Sequence, residues 1–408
     1  MTKIGNLETK TYELECVTPV HVGNGETLRP FEYLYDSSKR CVYFINQTKW
    51  VQFLERHQLM DDFTKRLMDI NVTKRNTDDS LWDWLLKRGI HEEELKKLGE
   101  RTAQAETVEL MVGEKRSLNE IHVQMATAEG SPFIPGSSIK GALRTAILHH
   151  LIQENPKSCY MFWNDIENVI NSNNQKYYKR LDNGKTILVT FNSIRQNLEK
   201  KYFSVMGLKK NERNGKDKVA TPEANSVLRG LRISDAFCVD PKTDTVVLQK
   251  VDATTYEDRE NNISLYRECI PAGARLRFTV TIDKAFLSKI DINSFDNILD
   301  MSRTFLQDGL ALQKEVFGSR YPRELEEAFA ADMLLGGGTG FFSKTVFYHL
   351  APNKKQAQEL LKKYFDKRSK HDHQAHDTDL TPRTLKLTRT ERGKSLMGFC
   401  GIREVPEC

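Results

Sequence analysis

The sequence predicts an α+β fold of two units, joined by a flexible basic loop and interrupted by a helical insertion. Segments with strand and helix patterns follow one another in βα order on both sides of the middle. A charged stretch without apolar periodicity separates them. The 408 residues suffice for a large core or two core units, at about 100–200 residues per domain. The predicted divisions are residues 1–204, 205–230 and 231–408.

The first unit begins with strands and then becomes helical. Alternating and aromatic residues predict strands near residues 12–20 and 31–45, and helical periodicity fills an insertion at about 48–100. Trp82 and Trp84 lie in this insertion. Aromatic residues at helical spacing are more often buried than used for base stacking, so we interpret both tryptophans as packing residues.

Residues 105–129 alternate apolar and polar side chains on both sides of a Gly113-Glu-Lys-Arg sequence. This pattern predicts a β-hairpin whose turn projects Lys115 and Arg116. A mostly helical, polar stretch is expected at residues 156–203.

The run FIPGSSIKGALRTAIL at residues 133–148 connects an apolar segment to a helix. Ser137 or Ser138 can cap this helix, and Lys140 and Arg144 lie four residues apart on one face. Apolar residues on the opposite face predict that the helix docks on a sheet. The cations and free amides suit an anion, although a capped amphipathic helix with solvated cations explains the same pattern.

The second unit repeats the alternation of strands and helices. Its predicted elements are strands within residues 231–251 and 275–282, helices at 292–317 and 323–334, a strand at 384–388, a turn at 392–394 and a strand through Phe399. No literal sequence repeat relates the two units, so their duplication is inferred from the order of elements.

A second candidate anion site is the run LLGGGTGFFSKTV at residues 334–346. Gly336, Gly337 and Gly338 precede a lone lysine, Lys344, and glycine lets a backbone approach a bulky anion closely. Neither run has the spacing of G-x-x-x-x-G-K-[ST] or G-x-G-x-x-G, which argues against a single bound nucleotide. Together they predict a site for a phosphate backbone.

Basic residues are concentrated in two stretches, while the net charge of the chain is only +5. Residues 351–394 hold twelve lysines and arginines against six acidic residues, and residues 205–232 hold seven against three. The second stretch lacks apolar periodicity, which predicts a loop or thumb that becomes ordered on RNA. A solvated loop that contacts nothing is the alternative.

We expect no cofactor, metal or membrane association. Seven cysteines are scattered without a C-x-x-C pair, as in proteins with reduced thiols. Neither a long apolar run nor a secretory signal is evident, so a cytoplasmic location is expected. His371, His373 and His376 alternate with acidic residues but lack a hydrophobic frame and cysteine ligands, so we predict a flexible basic loop there.

Six segments match sequence motifs of a known family. They are LECVTPVHVGNGE at 14–26, FIPGSSIKGALR at 133–144, LRISDA at 231–236, IPAGARLRFTVTI at 270–282, LLGGGTGFFSKT at 334–345 and PRTLKLTRTERGKSLMGFCGI at 382–402. In these segments the chain resembles the RAMP superfamily of CRISPR-associated RNA-binding proteins. It is most similar to the fifth Csm subunits of type III-A effector complexes, to which the closing segment and the overall order point.

The resemblance implies a modified RRM-like (ferredoxin-like) core with an inserted thumb, and together with the βα order on both sides of the middle it indicates two RRM-like units. It also implies a non-catalytic subunit that caps the 3′ portion of the crRNA and supports its maturation in antiviral defence. The implied partners are crRNA, target RNA and other Csm subunits, especially the repeated backbone subunit, with host 3′-trimming nucleases as further candidates. The candidate RNA-binding residues are His21, Lys115, Arg116, Ser137, Ser138, Lys140, Arg144, Gly336, Gly337, Gly338 and Lys344.

His21 supports a different function. It lies between a predicted strand and a Gly23-Asn-Gly sequence, where an imidazole could take a proton from a 2′-hydroxyl. The alternative is therefore a metal-independent endoribonuclease that processes crRNA, although the sequence names no companion acid and a structural or sugar-contacting histidine is the more typical role. Asp235 is a further catalytic candidate, for which a turn or capping role is more typical.

Overall fold

The computed structural model describes residues 6–73, 80–105, 118–172, 176–211, 217–219, 221–255, 259–369 and 371–406. Its strands are β1 Leu7–Cys16, β2 Gly23–Leu28, β3 Tyr33–Asp36, β4 Cys41–Ile45, β5 Gly99–Ala105, β6 Ile121–Gln124, β7 Phe133–Ile134, β8 Tyr177–Arg180, β9 Thr186–Val189, β10 Lys209–Asn211, β11 Asp217–Val219, β12 Leu231–Ile233, β13 Ala236–Cys238, β14 Thr245–Thr254, β15 Glu260–Cys269, β16 Arg275–Asp283, β17 Met333–Leu334, β18 Thr384–Thr390, β19 Gly393–Ser395 and β20 Phe399–Glu404.

The helices are α1 Gln47–Arg56, α2 Met60–Thr73, α3 Leu81–Leu86, α4 Glu92–Lys96, α5 Gly136–Glu154, α6 Tyr160–Asn171, α7 Phe191–Phe203, α8 Lys284–Leu287, α9 Phe295–Phe317, α10 Pro322–Phe329, α11 Phe347–Leu350, α12 Lys354–Asp366 and α13 His373–His376. Within the described part of the chain, no helix combines the length and apolarity that a bilayer crossing requires.

The first sheet has the strand order β17-β20-β1-β16-β13-β7, and β12 also pairs with β16. Its one-sided burial follows from alternation: in β16, Leu276 and Phe278 are buried while Arg277 between them is exposed. Helices α5 and α9 cover the apolar face, where the ring of Tyr12 lies 4.7 Å from that of Phe295. The predicted docking of α5 on a sheet is confirmed.

The second sheet has the strand order β2-β6-β15-β14-β5-β4-β3. The long strand β14 pairs with β5 through residues 245–247 and with β18 through residues 250–254. The β14–β5 and β15–β6 pairs are parallel, while β14 and β15 pair in the antiparallel direction. The central strands β14 and β15 therefore connect most of this sheet.

Both sheets combine strands from the two halves of the chain. β1, near the start, pairs with β16 and β20, and β5 and β6 pair with β14 and β15. The α+β class is confirmed. The boundaries predicted near residues 204 and 231 stay predictions, as does the RRM-like detail, while the pairing shows that neither sheet is built from one side of those boundaries alone.

The predicted helical insertion is formed by α1–α4, whose apolar residues share one core cluster with side chains of β3 and β4. Trp82 and Trp84 are only 3% and 6% exposed, so their interpretation as packing residues is confirmed. The ring of Trp82 stacks on Tyr43 of β4 at 5.5 Å, and the Arg88 guanidinium lies 4.0 Å from the centre of the Trp84 ring. The Trp82–Tyr43 contact joins the insertion to the second sheet, while the Arg88–Trp84 contact lies within the insertion.

The hairpin predicted at residues 105–129 is wrong in its described part. β5 and β6, on either side of the predicted turn, are separated in the sheet by β14 and β15. Alternation identifies a strand but not its partner, and both strands here pair with residues more than a hundred positions away. Lys115 and Arg116 lie outside the described residues.

The basic loop predicted at residues 205–230 is folded where the structure describes it after residue 220. Asn225 is 3% exposed, and its Oδ1 accepts a hydrogen bond of 2.6 Å from the amide of Leu208. Val227 is fully buried. The Asn225 side chain, several other local hydrogen bonds and a few apolar residues hold this segment, which explains why it shows no periodicity. Ordering of the loop on RNA stays a prediction.

The flexible loop predicted around His371, His373 and His376 is also folded. His373 is buried in α13, and its Nδ1 lies 2.9 Å from Oδ2 of Asp377. Arg383 donates to Oδ1 of the same fully buried carboxylate over 2.6 Å. This buried ion-paired cluster fixes the segment. In the described part of the chain, the three histidines do not gather into a group that could hold a metal.

Candidate functional site

A cleft of ≈ 400 Å³ opens where the segment between β1 and β2, helix α5 and the glycine-rich loop meet. We call it the glycine-loop cleft; among its lining residues are His21, Gly23, Ser138, Gly141, Gly336, Gly337, Thr339 and Lys344. The two runs singled out in the sequence, at residues 133–148 and 334–346, therefore lie side by side.

His21 forms the inner wall of the cleft and is 5% exposed. Its Nδ1 lies 2.6 Å from the backbone oxygen of Glu268. Because a carbonyl oxygen only accepts, Nδ1 holds the ring proton and Nε2 keeps its lone pair. Burial, followed by the charge of Arg267, lowers the pKa of His21 to about 3. The imidazole is therefore neutral at neutral pH.

We expect His21 to destabilise the fold in acid. In the unfolded chain the histidine has a pKa of about 6.5 and is protonated below that pH, whereas folded His21 stays neutral down to about pH 3. The free energy of unfolding therefore falls as the pH drops below about 6.5, by at most about 1.4 kcal/mol per pH unit. Urea unfolding of the wild type and His21→Gln between about pH 7 and 5 should give the steeper loss in the wild type; equal slopes would contradict a buried neutral imidazole.

The glycines allow the loop to pack against the His21 segment. A Cβ at Gly336, which has φ +78°, would lie 2.0 Å from the backbone oxygen of His21. A Cβ at Gly338 would lie 2.8 Å from Sδ of Met397. The amide of Gly337 donates to the same His21 oxygen over 2.7 Å. Internal packing thus requires glycine at positions 336 and 338. The sequence pattern alone does not reveal this reason for the two glycines.

Three consecutive amides of this loop have no acceptor among the described residues. Within the described part of the chain, the amides of Gly338, Thr339 and Gly340 donate no hydrogen bond. Gly338 and Gly340 have φ of +82° and +89°. Successive free amides in such left-handed turns form anion-binding concavities in many proteins.

Arg267 of β15 supplies a positive charge next to this loop. A Cβ at Gly338 would lie 3.7 Å from its Cζ. The guanidinium is half-buried and makes no ion pair with the described residues, and burial lowers its pKa. Its charge, after burial, also lowers the pKa of Lys344. A partly desolvated arginine without an acidic partner favours an anionic ligand.

Lys140, Arg144 and Ser137 line a different cleft, of ≈ 680 Å³, between α5, α7 and residues 222–229. Nζ of Lys140 donates to the backbone oxygen of Leu231 over 2.7 Å, and Arg144 pairs with Glu199 over 2.5 Å. Both cations therefore have protein partners. Gly141 lines both clefts and connects them across α5.

The predicted cap of α5 is wrong. The helix begins at Gly136 after Pro135, and neither Ser137 nor Ser138 caps it. Asp235 accepts from the amide of Gly136 over 2.8 Å, which confirms its capping role. A Cβ at Gly136 would lie 2.3 Å from the backbone oxygen of Ile233. The cap is thus supplied by a strand connection about a hundred residues away, which local patterns cannot indicate.

A buried carboxylate organises the strands behind His21. Glu268, which is fully buried, accepts from Nη2 of Arg101 over 3.0 Å, from the amide of Gln124 over 2.9 Å and from Oγ1 of Thr245 over 2.7 Å. Gln124 in turn accepts from the amide of Val22 over 2.8 Å. The network holds the strand with Arg267 against the segment with His21.

A family model and a named relative both match nearly the whole length of the chain. A family model described as the RAMP superfamily matches residues 13–392. The chain is 24% identical to the Streptococcus thermophilus protein named CRISPR system Cms protein Csm5 over 389 residues, 94% of this chain and 91% of that protein.

Two solved structures share its fold. A chain of a Csm-crRNA-target RNA ternary complex from a type III-A CRISPR-Cas system aligns with a TM-score of 0.60 and 16% identity, over 97% of this chain and 100% of that one. The crystal structure of T. onnurineus Csm5 aligns with a TM-score of 0.55 and 17% identity, over 95% and 99%.

Proposed function

The chain belongs to the RAMP superfamily, and we propose that it is the crRNA-binding fifth subunit of a type III-A Csm effector complex. Relatives named Csm5 match nearly its whole length, and a chain of a Csm-crRNA-target RNA complex shares its fold. We further propose that it caps the 3′ portion of the crRNA and catalyses no reaction itself. Its partners would be crRNA, target RNA and the repeated backbone subunit.

The glycine-loop cleft is the observation that best supports RNA binding. Thr339 and Lys344 line it, and the same loop carries the unpaired amides of residues 338–340 and touches the half-buried guanidinium of Arg267. Amides and cations together neutralise and orient phosphate oxygens without reading a base. The chain would therefore hold the crRNA backbone with little dependence on sequence.

Gly141 suggests the path of the RNA over α5. It lies inside the helix, and a Cβ there would meet nothing within 4 Å, so no packing requires glycine. Glycine in a helix interior costs about 0.8–1 kcal/mol relative to alanine. We propose that its bare surface lets the RNA backbone cross from one cleft to the other.

Two substitutions of Gly141 separate folding from binding. Gly141→Ala should raise the free energy of unfolding by up to about 1 kcal/mol. Gly141→Leu should keep the helix but place a bulky side chain between the clefts, so the Kd for single-stranded RNA should rise at least about tenfold, equivalent to 1.4 kcal/mol. Wild-type affinity in Gly141→Leu, measured by fluorescence anisotropy, would contradict the crossing.

The buried state of His21 favours binding over cleavage. A neutral imidazole with a pKa near 3 has no proton to donate at Nε2. No carboxylate lines the glycine-loop cleft within the described residues. General acid–base cleavage needs both a base and an acid within reach of the RNA.

A gel experiment distinguishes the two functions. The purified chain is mixed with end-labelled single-stranded RNA in EDTA, and the same samples are run on native and denaturing gels. The proposal expects a shifted band with intact RNA in the wild type and in His21→Ala. Discrete cleavage that disappears in His21→Ala would establish the endoribonuclease instead.

The capping role is tested in the assembled complex. Csm complexes reconstituted with and without this chain are treated with a 3′→5′ exonuclease. We expect a longer protected crRNA when the chain is present. Equal protection would contradict 3′ capping while leaving RNA binding by the cleft intact.

Host nucleases that trim this end would be recruited at the same place, and their co-purification with the complex should depend on the chain.

A further inference from the structure

Three potential metal ligands from distant parts of the chain meet on the far end of α5. His149 belongs to α5, Asp308 to α9 and His349 to α11. Nε2 of His149 lies 3.1 Å from Oδ2 of Asp308 and 3.2 Å from Nδ1 of His349. All three donor atoms lie within 4.8 Å of one another, and His149 is fully buried.

Protons alone cannot satisfy these contacts. Nε2 of His149 holds either one proton or one lone pair. With a proton, it can donate well to Asp308 or to His349 but not to both. With a lone pair, it faces the carboxylate oxygen without a proton between them. Nδ1 of His149 has no partner among the described residues, so no hydrogen bond on that side of the ring fixes the tautomer.

A metal ion resolves the conflict, because all three atoms can then present lone pairs to one centre. Zinc binds histidine nitrogen at about 2.0–2.1 Å and carboxylate oxygen at about 2.0–2.2 Å, so neighbouring ligands in a tetrahedron are about 3.3–3.5 Å apart. The observed separations of 3.1 and 3.2 Å are close to this value. Gln153 also donates to Oδ2 of Asp308 over 3.0 Å and orients the carboxylate.

We propose that His149, Asp308 and His349 form a site for a divalent transition-metal ion of the zinc type, with water as the fourth ligand. The ion would join α5, α9 and α11. Because α11 follows soon after the turn that ends at Lys344, the metal would fasten the end of the glycine-rich loop to the helix that forms the opposite wall of the cleft. Its role is structural.

The test is calorimetric titration of the full chain, freed of any affinity tag and treated with chelator, with Zn²⁺. One ion should bind per chain and raise Tm. His349→Ala and Asp308→Asn should each weaken binding by at least about tenfold. His150→Ala is the matched control, because it removes the neighbouring histidine of the same helix and should leave binding unchanged.

Cobalt supplies a second readout that does not depend on stability. Co²⁺ should give the visible bands of a tetrahedral site in the wild type and in His150→Ala, and none in His349→Ala. The proposal is overturned if Zn²⁺ does not bind, or if His349→Ala and Asp308→Asn bind it as tightly as the wild type.

Discussion

Replacing Glu268 with alanine is expected to lower the free energy of unfolding by about 3–5 kcal/mol, the cost of removing one partner of a buried ion pair. The carboxylate is fully buried and accepts from Arg101, Gln124 and Thr245. Without it, the largely buried Arg101 guanidinium and a backbone amide lose their partners. Equilibrium unfolding in urea measures the change.

An exposed ion pair provides the control for Glu268. Lys10 and Glu404 pair over 2.8 Å on the surface, where such pairs contribute about 0–1 kcal/mol. Glu404→Ala should therefore change the free energy of unfolding by less than about 1 kcal/mol. If Glu268→Ala were no more costly than Glu404→Ala, the network would not organise the strands behind His21.

The second large effect is expected for Gly336→Ala, which should cost at least about 2–4 kcal/mol. The new Cβ would lie 2.0 Å from the backbone oxygen of His21, at a φ of +78° that alanine adopts poorly. The loop would have to move, and the hydrogen bond from Gly337 to His21 would lengthen or break.

Gly340→Ala separates the two causes of this cost. Gly340 also has a positive φ, of +89°, but a Cβ there would lie 3.5 Å from Cγ of Lys386, an ordinary contact. It should cost only the left-handed backbone term of about 1–2 kcal/mol. Similar losses of Tm in Gly336→Ala and Gly340→Ala would mean that close packing of the loop on His21 does not determine its position.

The sequence identified the segments of the cleft better than the partners within it. The two marked runs and His21 do meet in the cleft. They could be recognised in the sequence because turn residues and glycine clusters are local signals. Lys140 and Arg144 instead turn to Leu231 and Glu199, which are reached only through the fold. A helical face indicates where a cation projects but not what it meets.

Arg267 shows what local patterns omit. It follows the buried Tyr266 in β15, and nothing in that strand marks it as a ligand-binding residue. It lies against the glycine-rich loop only because β15 pairs with β6 and β14, and because that loop folds over it. For the same reason, the sequence does not predict that both sheets combine strands from the two halves of the chain. The alternation of a strand indicates which face is buried but not which strand pairs with it.

The most direct test of the central claim is the salt dependence of RNA affinity in the double variant Arg267→Ala/Lys344→Ala. Each phosphate contact on a single strand contributes about 0.7 to the slope of log K against log salt. The slope of the double variant should therefore be smaller by about 1.4. Two controls should keep the wild-type slope. Arg267→Lys keeps the charge, and Lys289→Ala changes an exposed turn away from the cleft. A slope unchanged in the double variant would contradict the placement of the crRNA backbone in the glycine-loop cleft.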